Sequence, residues 1–174
     1  MPFKLFLFLE GTDDVRFFTH ILFPLFRHKY SNRIKPVKYA EMKPSSRERM
    51  ITAIKKSGAD FVYVQDLHSS KCVTASRQKI MLELNEVISE DDIAVVIKEI
   101  ECWYLCGLNQ NCCRKLTGKV LEDTHTFTKN RFNRLIPRGM PRSEFMLKIL
   151  EKYDVKTGKI NNASFKYFIE KWVS

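Results

Sequence analysis

Four short apolar runs, each followed by residues at helical spacing, constrain this chain more than any other feature. Residues 4–10 carry Leu5, Phe6, Leu7, Phe8 and Leu9 without a break, and residues 60–64 and 93–97 are similar. Residues 34–42 alternate more. Unbroken apolar runs of this length suit strands buried on both faces of a sheet. After the first run, Val15, Phe18, Leu22, Leu25 and Phe26 fall on one helical face. Thr12 is the expected N-cap, Asp13 and Asp14 suit the first turn, and Pro24 predicts a kink or an end. Ser45 and Glu48 read as a capping box opening a second helix, which Gly58 ends. Val73, Arg77, Ile80, Leu84 and Val87 fit a third, and residues 101–108 a fourth. This β-α-β-α-β-α-β-α order predicts an α/β, Rossmann-like parallel sheet of about four strands flanked by helices and joined by right-handed crossovers.

Beyond Leu108 the pattern turns helical and basic. Residues 143–153 and 163–172 read as closing helices, with 157–162 as the loop between them. The 174 residues contain no linker, internal repeat or low-complexity stretch. They fit a single domain over 1–174, with a core of about 1–108 and a basic helical extension over 109–174.

The net charge of +10 is unevenly spread. Residues 27–56 hold eleven Lys, Arg or His against two acids. Residues 109–142 hold eight Lys or Arg against two acids, with Phe127 and Phe132 interleaved. Together the two patches favour a phosphate-bearing partner over a merely solvated surface. Lys129, Arg131, Arg134 and Arg138 are the expected nucleic-acid contacts. No apolar run approaches the roughly 20 residues that cross a bilayer, and none has the shape of a signal peptide. A soluble, cytoplasmic protein without a membrane partner is expected. The five cysteines are an odd number, as in a reduced protein. Cys102, Cys106, Cys112 and Cys113 leave zinc open, but their spacing is not C-x2-C and His125 is distant. Buried, unreactive thiols are the preferred reading.

Carboxylates mark the ends of the runs: Glu10 after the first, Asp66 after the third, Glu99 and Glu101 after the fourth. Open parallel sheets bind ligands at the carboxyl ends of their strands. Acids gathered there in a basic protein repel one another unless offset, and a divalent cation such as Mg2+ or Mn2+ is the simplest offset. Each acid also has a plainer reading: Asp13 and Asp14 as helix-start residues, Asp66 as a turn residue, and Glu99 and Glu101 as partners of Lys98 or other basic groups.

The segment F-L-E-G-T-D-D, residues 8–14, resembles the first Toprim motif, a strand-ending Glu–Gly with an Asp three residues later. V-Y-V-Q-D-L-H, 62–68, stands where that family has Asp-x-Asp. I-K-E-I-E-C-W-Y-L, 97–105, is similar to an Arg-Glu-Ile-Glu-Ala-Trp-Leu-Leu signature. That signature belongs to small stand-alone Toprim-like proteins related to the nuclease domain of the OLD (overcoming lysogenization defect) proteins. P-R-S-E-F-M-L-K-I-L-E-K-Y, K-T-G-K and S-F-K-Y-F-I-E-K-W resemble the C-terminal helices of the same group. The resemblance implies a Toprim fold whose acids hold magnesium for phosphodiester chemistry. Carried over, Glu10 is a metal ligand or general acid/base and Asp66 a metal ligand. Asp14 is an accessory ligand, Glu99 or Glu101 serves a second metal, and Lys156 stabilises a phosphate. Trp103 is a packing residue.

The sequence departs from the pattern at His68, in place of the second Asp of Asp-x-Asp, and at Lys98, in place of Arg. Imidazole suits manganese, iron or zinc better than magnesium. Two functions follow: a metal-dependent nuclease, with a role in defence against phage or other mobile DNA by resemblance, or a non-catalytic nucleic-acid or nucleotide-binding module with a degenerate metal site. DNA versus RNA, a homodimer and a partner ATPase stay open.

Overall fold

The computed structural model describes residues 4–121 and 123–173. The chain divides into two compact units, Met1–Val95 and Val96–Ser174. The boundary comes before Leu108 because α5 (Ile100–Cys106) packs against α8 (Arg142–Glu151) and α9 (Val155–Asn161).

The first unit is built on the expected parallel sheet. Its strands are β1 (Leu5–Leu9), β2 (Ile34–Lys38), β3 (Asp60–Asp66) and β4 (Ile93–Val96), in the order β2-β1-β3-β4. β1 pairs with β3 in a register that sets Leu5 beside Asp60 and Phe8 beside Tyr63. β2 stops at Lys38, short of the expected Met42. It is an edge strand carrying Lys35, Pro36 and Lys38, residues that blunt an open edge.

Both faces of the sheet are covered. Phe8, Phe61, Tyr63 and Val95 pack with Ile51 and Ile54 of α3 (Pro44–Lys56) and with Ile80 and Leu84 of α4 (Val73–Glu83). Leu5, Leu7, Leu9, Val62 and Val64, on the alternate pleat, are also buried. α1 (Thr12–Phe17) and α2 (Phe23–Tyr30) follow β1 and contact β2, bringing buried Phe17, Phe18, Leu22 and Phe26. Pro24 does not end this helix. A π turn over Phe18–Leu22 precedes it, and the Phe23 N–H reaches back to the Phe18 carbonyl, so the wider turn carries the chain past proline's missing donor. The capping box at Ser45 and Glu48 is absent. Pro44 takes the first turn after Lys43, and the Glu48 carboxylate instead accepts from Asn85 Nδ2 at 2.9 Å.

The second unit is helical: α5, α6 (Gln110–Thr117), α7 (Lys129–Asn133), α8, α9 and α10 (Ala163–Phe168), the last running into a π turn over Ile169–Val173. Trp103 donates its indole N–H to Ser164 Oγ at 2.9 Å and meets the rings of Phe165 and Phe168 edge-on, as a packing residue. The loop expected over 157–162 is mostly α9. Its glycine does not break the helix but admits neighbours, since a Cβ on Gly158 would lie 2.8 Å from the Tyr153 hydroxyl and 2.9 Å from Phe165.

Candidate metal centre

Order β2-β1-β3-β4 reverses direction between β1 and β3. A crevice opens at such a switch point, at the carboxyl ends of the two strands. Glu10 leaves β1 there, and Asp66 is the last residue of β3. A tight turn follows, closed by the Ser70 N–H on the Leu67 carbonyl at 2.9 Å. His68 occupies that turn with φ +46°, a left-handed conformation uncommon for a side chain with a Cβ. Its Nε2 lies 3.3 Å from Glu10 Oε2. Glu10, Asp66 and His68 each bring one donor atom within 4.8 Å of the others. Asp66 is buried, Glu10 half-buried and His68 exposed, so the group opens to solvent on one side.

Two carboxylates and an imidazole suit manganese, zinc or iron as well as magnesium. Donors bound about 2.1 Å from one ion lie roughly 3–4.2 Å apart, so small side-chain rotations would close this group around a cation. Asp14 has a structural task. Its Oδ2 accepts the Gly11 N–H at 3.1 Å, as an acid at the third helical position commonly does. That N-terminal residue is Gly11, not Thr12. Asp13 pairs with Arg16 at 2.6 Å.

One buried neighbour of the site escaped the sequence reading. Tyr39, just past β2, is buried, and its hydroxyl lies 2.9 Å from the Val64 carbonyl and 3.0 Å from Gln65 Oε1. Its ring stacks on Tyr63 at 4.5 Å. Burial first, then the nearby Tyr63, Glu10, Asp14 and Asp66, push its ionisation far above the ordinary phenol range. Tyr39 is therefore a neutral phenol near the acids, its hydroxyl fixed on the end of β3. Only the alternating pattern of 34–42 hinted that it points inward.

Comparison of the chain with protein-family models, curated proteins and solved structures finds no match. Its chemistry is therefore read from its own residues.

Glu99 and Glu101 lie in the second unit and are engaged there. Glu99 precedes α5 and accepts the Lys129 backbone N–H. Glu101 is buried, and Arg142 Nη2 donates to its Oε1 at 2.6 Å. Burial raises the Glu101 pKa, and Arg142 opposes that rise. Among the described residues, the metal-binding group holds no cysteine. Cys102 donates to the Phe127 carbonyl at 3.1 Å and Cys106 to the Trp103 carbonyl at 3.2 Å. Burial pushes the Cys106 thiol up to about 12, as in an inert thiol.

Lys129, Arg131, Arg134 and Arg138 are all exposed, on α7 and the turns after it. Arg131 lies over the Phe127 ring at 4.6 Å and donates to Thr126 Oγ1 at 2.9 Å, which holds its guanidinium in place. Lys156 is exposed on α9, beside Lys159 and Lys166. Among the described residues, no helix is long and apolar enough to cross a membrane.

Proposed function

We propose that this chain is a divalent-metal-dependent nucleic-acid phosphodiester hydrolase of Toprim-like type, acting on DNA or RNA. The observation that carries the reading is the convergence of Glu10, Asp66 and His68 within 4.8 Å at the switch point of a parallel sheet. The left-handed φ of His68 supports it, because backbone strain of this kind clusters at functional sites. Glu10 and Asp66 would hold Mn2+ or Mg2+, with neutral His68 completing the set. A bound cation offsets charge at a phosphate and makes its water more acidic. Glu10, half-exposed at the rim, is placed to take a proton from an attacking water. Asp66, more deeply buried, would serve as a metal ligand alone. Exposed Lys129, Arg131, Arg134 and Arg138 supply the phosphate-neutralising surface. A role in defence against mobile DNA rests on the family resemblance alone.

The other reading is a nucleic-acid-binding module with a weakened metal site. It is favoured by the histidine that stands in place of a third carboxylate. Glu10→Gln separates the two. A nuclease loses hydrolysis of a labelled strand in Mn2+ while its fold, by circular dichroism, and its strand binding in EDTA persist. Cleavage at the wild-type rate by the Glu10→Gln protein refutes the hydrolase. Strand binding without cleavage in any divalent metal leaves the module.

A further inference from the structure

We infer that the second unit carries a nucleoside-phosphate site built between α6, α9 and α10, independent of the metal centre. A cavity of about 500 Å³ lies against α6 and α9, within the range of about 300–1,000 Å³ typical of small-molecule pockets. Leu105, Leu108, Leu121 and Ile160 give it apolar walls. Asn109, Gln110 and Asn161 give it hydrogen-bonding edges.

His125 and Ile160 also line a second, more open hollow of about 530 Å³, so the two adjoin. The wall of this hollow carries Lys156 and Lys159 of α9 and Lys166 of α10 against one acid, Glu170. Lys159 and Glu170 are 3.9 Å apart, too long to cancel one another fully at an exposed position. The net positive shelf suits a phosphate. Apolar walls with polar edges, adjoining three lysines, match a base and sugar joined to a 5′-phosphate. A simple phosphosugar or a bare strand backbone would leave the leucine walls unused.

The probes are the four nucleoside 5′-monophosphates and a 5′-phosphorylated dinucleotide, titrated calorimetrically into the full chain in EDTA. At least one should bind with Kd below about 1 mM. Lys156→Ala with Lys166→Ala, both exposed, should weaken it about tenfold or more. Gln110→Ala, at the exposed polar edge of the cavity, should weaken it several-fold while leaving the affinity for inorganic phosphate unchanged. Glu10→Gln should bind as the wild type does, which separates this site from the hydrolase reading. Tighter binding of a monophosphate identifies a free nucleotide as the occupant, and tighter binding of the dinucleotide identifies a strand end; either supports the site. No binding at about 5 mM, or equal Kd values for wild type and both variants, overturns it.

Discussion

Replacing Asp66 by Asn should reverse its effect on stability when manganese is added. Donor atoms of Glu10 and Asp66 lie within 4.8 Å. Two full charges at that separation repel by about 3.5 kcal/mol at an effective dielectric of about 20. Glu10 keeps 34% of its side-chain exposure, so solvent screens the repulsion to about 1 kcal/mol. In EDTA, Asp66→Asn removes that repulsion while the amide keeps the shape, and the melting temperature should hold or rise by roughly 2–4 °C. At Mn2+ about a hundredfold above Kd, the wild type gains about 2.7 kcal/mol, or roughly 5–10 °C. The variant gains little, so the order of the two melting temperatures inverts. Differential scanning calorimetry reads both arms without any turnover. An equal manganese-induced rise in both proteins refutes the site. A drop of more than about 5 °C for Asp66→Asn in EDTA shows that the carboxylate holds the fold instead.

Further outcomes are expected. His68→Asp should tighten Mg2+ binding several-fold to about tenfold, because it adds an anionic oxygen; calorimetric titration measures the change. Gly107→Ala should destabilise by about 3 kcal/mol in urea, because its Cβ would lie 2.3 Å from the Tyr153 ring. Arg142→Ala should cost about 3 kcal/mol by leaving Glu101 buried without that partner, with part recovered in Arg142→Ala/Glu101→Gln. Alkaline titration should unfold the protein cooperatively. Burial holds Tyr63 up at about 12, so the native state keeps a proton that the unfolded chain releases near 10. Stability is therefore full below about pH 10 and falls as pH rises, by about 1.4 kcal/mol at pH 11 from Tyr63 alone. Tyrosinate absorbance should rise together with loss of helical circular dichroism, and a rise preceding unfolding would contradict the buried assignment.

What was legible in the sequence follows the range of the interactions involved. β1, β3 and β4 announce themselves because a strand buried on both faces needs apolar side chains at every position. The sequence runs β2 on to Met42 because this edge strand is half-exposed and Tyr39 continues both its alternation and its bonding, with its N–H on the Leu9 carbonyl at 3.0 Å. Ser45 and Glu48 matched a capping box in spacing, but Pro44 entered the helix first, with its φ already set. Residues 157–162 read as a loop, whereas Gly158 sits within α9, where its missing side chain makes room for Tyr153 and Phe165.

The acids divide in the same way. Glu10 and Asp66 were readable because each sits at a strand end, and sheet topology alone brings β1 beside β3. Glu99 and Glu101 stand at equally suggestive positions after β4. Their partners, the Lys129 N–H and Arg142, come from 30 and 41 residues downstream. A strand-end carboxylate therefore signals a site only when no distant donor claims it. Glu101 is claimed by a buried ion pair, whereas Glu10 lies against His68, itself in the cluster.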